Sequence, residues 1–290
     1  MTVIVVGASG MLGHRIVRHL ARSRDVVALL RAGVRPPRLR TLLGEARVVE
    51  SGSLDADTIA ELLDRYAPSA VINAAGLIKQ RLASIDPIAM IEANALLPHR
   101  LAAECRRRSV RLIHVSSDCV FSGLRGNYRE DDATDAPDIY GRTKALGEPV
   151  CDGCLTLRTS IIGPEVGTSY GLLEWFRSRQ RQRADGYRRV IFPGLPTIGL
   201  AMLLETLIDR FPCLNGLYHV GAVPIAKHDL LHLINDRYAL NVDIVPVDQP
   251  VSDRSLDCSR FRDATGLVPE AWPALVDLMA RDEEDERDGR

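Results

Sequence analysis

The chain has 290 residues, 46% hydrophobic and 26% charged, with a formal net charge of -1. That length suits one large α/β domain or a core domain with a smaller annex, and the near-neutral balance gives no electrostatic footprint for nucleic acid or an anionic membrane. No apolar run approaches the ~20 residues of a bilayer span and the N-terminus reads as a strand rather than a signal peptide, so a cytoplasmic protein is expected.

The first 160 residues alternate short β-branched runs with longer helical patterns. TVIVV (2–6), DVVALL (25–30), ARVVE (46–50), SAVINAA (69–75), VRLIHVSS (110–117) and LTLRTS (155–160) are continuously apolar, as strands buried on both faces are. Between them, MLGHRIVRHLARS, DADTIAELLDRY and DPIAMIEANALLPHRLAAECRRR carry apolar residues at helical spacing. Repeated βα units predict a Rossmann-type, doubly wound parallel sheet over residues 1–163, with right-handed crossovers. Past residue 163 the rhythm breaks. Residues 197–211 are helical, 216–221 form a strand and 225–238 are helical, so about 197–221 is expected to return to the first domain. Residues 164–196 and 222–281 are left as a smaller, interrupted substrate-binding region. The end, RDEEDERDGR, has nothing apolar, and residues 282–290 are expected to form a disordered acidic tail.

Directly after the first strand, GASGMLG places Gly7, Gly10 and Gly13 three residues apart. Glycines there allow a sharp turn, a close approach of backbone to a pyrophosphate, and tight packing of the next helix. The amides of Ser9, Met11 and Leu12, with the positive end of the helix, would hold the phosphates. A dinucleotide site is therefore expected. Where the second strand ends, a carboxylate would accept from an adenosine ribose, but this chain has Arg31, with Arg35 and Arg38 beyond it. Guanidinium groups suit a 2′-phosphate, so NADP is favoured over NAD; the plain alternative is an Arg-rich surface loop. Asn73, Ala74 and Ala75 close the fourth strand at the edge where ligands sit in such folds. Asn94, within the long helix, is either a buried bridge to neighbouring backbone or an ordinary polar residue of a helix face.

Tyr140 and Lys144 stand four apart, on one face of a helix. An ammonium beside a phenol favours the phenolate, which would draw the Tyr pKa down from about 10. Ser116 and Ser117, at the end of the preceding strand, are both placed to orient a substrate carbonyl. Cys151 and Cys154 form a C-x-x-C in a turn without a second pair or a nearby His, so neither a redox nor a metal role is expected.

Taken together, GASGMLG, VSSDCVF, GNYREDDATDAPDIYGRTKALGE and LRTSIIG (157–163) make the chain resemble the extended short-chain dehydrogenase/reductases, and within them the dTDP-4-dehydrorhamnose reductase group. The resemblance covers nearly the whole chain and is strongest from 110 to 163. It implies Ser117 as the catalytic hydroxyl, Tyr140 as the proton donor, and Lys144 as partner of the Tyr and ligand of the nicotinamide ribose. Asp118 follows as in the reductases, while Cys119 replaces the Tyr usual there. Sugar-nucleotide dehydratases need Asp then Glu after that hydroxyl, and Cys119 removes the second carboxylate. The resemblance therefore implies an NADPH-dependent reductase of a nucleotide-linked 4-keto-6-deoxy sugar. An epimerase and a non-catalytic NADP-binding regulatory subunit remain the alternatives. Lys79, Arg158, Lys227 and Arg254 are candidates for gripping the nucleotide and its pyrophosphate, with Asp118 and Cys119 at the sugar; a homodimer is left open.

Overall fold

The computed structural model describes residues 1–33, 38–78 and 86–288. Arg35 and Lys79, both expected at ligands, lie outside the described residues.

The chain runs β1 (Thr2–Val6), α1 (Met11–Leu20), β2 (Asp25–Arg31), α2 (Leu39–Leu43), β3 (Arg47–Ser51), α3 (Ala56–Tyr66) and β4 (Ala70–Asn73). There follow α4 (Pro87–Ile91), α5 (Leu97–Arg107), β5 (Arg111–Val115), α6 (Ile139–Leu146) and β6 (Cys154–Arg158). These continue to β7 (Ile161–Ile162), α7 (Leu172–Arg177), β8 (Arg183–Tyr187), β9 (Val190–Phe192), β10 (Leu195–Pro196), α8 (Thr197–Arg210) and β11 (Gly216–His219). The chain ends with β12 (Ile225–Ala226), α9 (Lys227–Tyr238), β13 (Asp243–Val247), β14 (Ser252–Asp253), α10 (Ser259–Thr265) and α11 (Trp272–Arg287).

Seven strands form one sheet in the order β3-β2-β1-β4-β5-β6-β11, all parallel. Alternation along each strand divides the core between two faces. Val3 and Val5 pack with Ile16, Val17 and Leu20 of α1 and with Leu200, Leu204 and Leu207 of α8. Ile4 and Val6 pack with Ile59 and Leu63 of α3 and with Leu97, Leu101 and Cys105 of α5. Burial on both sides is why these strands read as unbroken apolar runs. Strand order reverses between β1 and β4, so their carboxyl ends frame the crevice where a ligand enters such a sheet.

Past β7 the strands are short. β12 and β14 flank β9, the first antiparallel and the second parallel to it, while β13 pairs with β8. This small sheet sets the starts of α9 and of the segment after β14 beside the carboxyl end of the main sheet.

Two expectations need correction. The long helix is helical throughout 87–107 but is interrupted by a π turn, Glu92–Leu96. Pro98 lacks an amide proton and its ring crowds the carbonyl of Asn94; the wider turn accommodates it. The acidic tail is not disordered from 282: α11 continues to Arg287. Its carboxylates face a row of arginines, Arg15 bonding Asp282 at 2.7 Å and Glu286 at 2.5 Å, and Arg177 bonding Glu283 at 2.7 Å. The charges that looked solvated are interior to a helix contact. Among the described residues no helix is long and apolar enough to cross a membrane.

Candidate active site

The glycine loop joins β1 to α1. Gly7 has φ +82°, and a Cβ there would lie 2.6 Å from the Cα of Ala75, so the end of β1 sits against the end of β4. A Cβ at Gly13 would strike the carbonyl oxygen of Gly7 and lie 2.8 Å from the Cα of Ala8. Gly10 is different: it is exposed, and a Cβ there would meet only the Gly7 oxygen, at 3.4 Å. Helix α1 begins at Met11 without a side-chain cap and without an acidic residue in its first turn. Its open amides and dipole face the half-buried Ser9 and the exposed Gly10, a cradle suited to a diphosphate.

Arg31 is exposed at the end of β2, in register with Ser51. Arg38 is exposed where α2 begins. Asn73 is fully buried; it accepts from the Ala75 amide at 3.1 Å and donates to Nδ1 of His114 at 3.1 Å. It therefore shapes the Ala74–Ala75 turn from within. Of the two readings of Asn94, the buried bridge holds. Its side chain accepts from the Leu77 amide at 2.8 Å and donates to the Leu77 carbonyl at 3.1 Å and to the Thr143 hydroxyl at 3.4 Å. A Cβ at Gly147 would collide with the Asn94 carbonyl. The π turn thus ties the loop after β4 to α6.

Beyond β5 the two serines part company. Ser116 donates to Glu148 at 2.6 Å. The Ser117 oxygen accepts from the Cys119 amide at 3.0 Å and its hydroxyl donates to Asp118 at 3.2 Å, opening the short 3-10 turn Asp118–Val120. Helix α6 starts from Asp138, whose carboxylate caps the Gly141 amide at 2.9 Å. Gly141 has no room for a Cβ, which would strike the Cys119 carbonyl. That close approach sets Tyr140 against the Ser117–Cys119 turn, an indication the Tyr-Gly dipeptide carried in the sequence.

Burial pushes the Tyr140 phenol well above its ordinary pKa; Cys119, Asp118 and Asp138 add to the rise and the Ser117 hydroxyl opposes it. The expectation was that Lys144 would draw the phenol down; desolvation instead moves it up. Lys144 is buried and donates to the Val115 carbonyl at 2.9 Å. Burial lowers its pKa to about 8, against the attraction of Glu148.

Arg158, expected at the substrate, is turned to partners within the fold. It is 4% exposed, with Nε and Nη2 on the two oxygens of Glu148 at 2.9 and 2.8 Å and Nη1 3.2 Å from Nε2 of His219. Its donors are used inside the fold. Arg254 donates to the Phe121 carbonyl at 2.9 Å, the Ser122 carbonyl at 3.0 Å and the Ser252 hydroxyl at 3.0 Å, fastening the segment after β14 to the turn beyond Cys119. Asp118 is buried, which raises its pKa; Arg254, the Ser117 hydroxyl and Lys227 oppose that rise. Lys227, the first residue of α9, is partly buried and feels Asp118, Cys119 and Arg254. Cys151, in the turn before β6, is bonded to Cys154, the first residue of that strand.

The model of the family described as RmlD substrate binding domain matches residues 1–283. A dTDP-4-keto-6-deoxy-D-glucose reductase of Streptomyces niveus is 36% identical over 50% of this chain and 45% of its own length, so the chain spans less than half of that relative. The methionine adenosyltransferase 2 subunit beta of Xenopus tropicalis is 24% identical over 96% of this chain and 89% of its own length. Among solved structures, the dTDP-4-dehydrorhamnose reductase of Bacillus anthracis str. Ames in complex with NADP superposes with a TM-score of 0.79 at 19% identity, over 97% of this chain and 99% of that one.

Proposed function

This chain belongs to the RmlD substrate binding domain family, and from that premise we propose that it reduces the 4-keto group of a nucleotide-linked 4-keto-6-deoxy sugar with NADPH. The observation that carries the reading is the tight seating of α6 on the Ser117–Cys119 turn, with no room for a Cβ at Gly141, which sets the Tyr140 phenol against Ser117 at the end of β5. A phenol that keeps its proton is a proton donor for a carbonyl oxygen becoming an alkoxide.

The cradle of Gly7, Ser9, Gly10, Met11, Leu12 and Gly13, flanked by Ala74 and Ala75, fits a dinucleotide diphosphate. Arg31 is placed for a 2′-phosphate, which favours NADP. Bound there, NADPH supplies the hydride. Ser117 hydrogen-bonds the carbonyl oxygen and Tyr140 gives it the proton from its hydroxyl, so ketone, hydride and proton become the carbinol. The phenolate recovers its proton from solvent. Lys144, fixed by the Val115 carbonyl, presents its remaining N–H groups to the cofactor ribose. Asp118 and Cys119 face the sugar. Because Cys119 stands where elimination would need a second carboxylate, reduction is favoured over dehydration. Residues 1–163 with 197–221 form the cofactor half, and 164–196 with 222–281 the substrate half.

A panel of nucleotide 4-keto-6-deoxy sugars offered with NADPH tests this through loss of nicotinamide absorbance. One NADPH consumed per sugar is expected; interconversion of sugar isomers without net consumption would make the protein an epimerase instead. A second reading is favoured by the near full-length match to a methionine adenosyltransferase subunit: a protein that binds NADP and acts through a partner. NADPH binding without turnover of any sugar would support it.

A further inference from the structure

The Glu148 side chain is 6% exposed and follows Lys144 by four residues, just past the end of α6, where its amide donates to the Ala145 carbonyl at 3.4 Å. Three donors take its two carboxylate oxygens. Oε1 accepts from the Ser116 hydroxyl at 2.6 Å and from Nε of Arg158 at 2.9 Å, and Oε2 accepts from Nη2 of Arg158 at 2.8 Å. A buried ion pair is weak evidence for stability, since apolar side chains of similar volume commonly hold a fold as well. What these bonds add is direction, because each restricts a distance and an angle.

Both partners of Glu148 belong to the frame that holds Ser117. The Ser116 amide donates to the Leu157 carbonyl at 2.8 Å and the Asp118 amide to the Thr159 carbonyl at 3.1 Å, so residues 116–118 run alongside 157–159 with Ser117 bracketed between the two bonds. Ser116 directly precedes Ser117, and Arg158 lies between the two carbonyls. The Lys144 ammonium is tied to the same stretch, at the Val115 carbonyl, 2.9 Å away. At its first turn α6 rests on the Cys119 carbonyl through Gly141. The helix is thus anchored at both ends, with Tyr140 beside the first anchorage and Lys144 between the two.

We infer that Glu148 is a positioning residue of the reaction: by gripping Ser116 and Arg158 it holds α6 at the height and rotation that bring Tyr140 and Lys144 to the same carbonyl as Ser117. The inference rests on the reductase reading above. Proton donor and hydroxyl sit on different elements, so their alignment depends on what joins those elements, and a misplacement of about 1 Å is enough to slow chemistry severely.

Measuring stability and rate on the same variants separates positioning from a merely structural role. In Glu148→Met with Arg158→Met no charge is left inside, so melting returns close to wild type while the directed bonds are gone. Single-turnover oxidation of NADPH by a dTDP-4-keto-6-deoxy sugar, with NADPH saturating, is expected to reach a maximal rate roughly 10- to 100-fold below wild type, at an unchanged half-saturating sugar concentration. A double variant with wild-type melting and wild-type rate would overturn the inference and leave the pair structural. A raised half-saturating concentration with the maximal rate intact would also overturn it, by placing these side chains on the substrate. Ser116→Ala keeps the ion pair and removes one bond, and so decides the matter even if the double variant fails to fold: a lowered maximal rate at unchanged half-saturation is expected, and a wild-type rate would overturn the inference. Failure of wild type to oxidise NADPH with any such sugar would overturn the reductase reading and the inference with it.

Discussion

Replacing Arg158 with Met should unfold the protein more readily rather than weaken a ligand. Its guanidinium and the Glu148 carboxylate are 5% and 6% exposed and are joined by two parallel bonds of 2.9 and 2.8 Å. With the arginine gone, the Glu148 carboxylate remains buried with, among the described residues, only the Ser116 hydroxyl at 2.6 Å. Breaking such a pair from one side costs about 3–5 kcal/mol. For a chain of this length that is a fall of roughly 5–10 °C in melting temperature. Removing both charges at once, in Arg158→Met with Glu148→Met, should restore most of the loss, because no uncompensated charge is left inside. Thermal and urea unfolding of the single and double variants measure this directly. A single variant as stable as wild type, with its defect confined to substrate affinity, would refute the structural assignment and return Arg158 to the pyrophosphate.

The glycines separate fold from cofactor. Gly13→Ala should destabilise by about 1–3 kcal/mol or more, since backbone must shift, whereas Gly10→Ala should melt like wild type and lose NADPH affinity in a fluorescence titration. On the alkaline side, the Lys144 ammonium, with its pKa lowered to about 8, should lose its charge; kcat/KM should therefore fall with a midpoint near pH 8. On the acid side, burial holds His14 and His219 at about 4, below the 6.5 of an unfolded chain. Their folded-state pKa values are depressed, so stability is fully present above pH 6.5 and is lost as pH falls through 4, by about 3 kcal/mol for each. Urea unfolding from pH 7.5 to 4.5 checks the slope; His219→Gln should flatten it.

The parallel strands were legible because burial on both faces leaves continuous apolar runs, and the glycine loop because steric necessity fixes Gly7 and Gly13. Tyr140, Lys144 and the Ser116–Ser117 pair were visible as a pattern. What chose Ser117 over Ser116 was the partner of the latter, Glu148, 32 residues away, a pairing that no local spacing encodes. The same carboxylate pairs with Arg158, a pairing ten positions apart that the sequence did not single out. The tail was misread because charge alone does not say whether arginines wait opposite, and Arg15 and Asp282 are 267 positions apart. The π turn could have been suspected from Pro98 within a helical stretch. Lys227 stood out only as a rare lysine; its place at the start of α9 follows a small sheet of short strands, whose pattern is weak.

The central claim is that Tyr140 gives a proton to a sugar carbonyl while NADPH gives the hydride. Single-turnover oxidation of NADPH by a dTDP-4-keto-6-deoxy sugar, in wild type and Tyr140→Phe, tests it most directly. The expected result is a rate lower by about 10²-fold or more in the variant, with NADPH affinity unchanged. Undiminished turnover in Tyr140→Phe, or none in wild type, would contradict it.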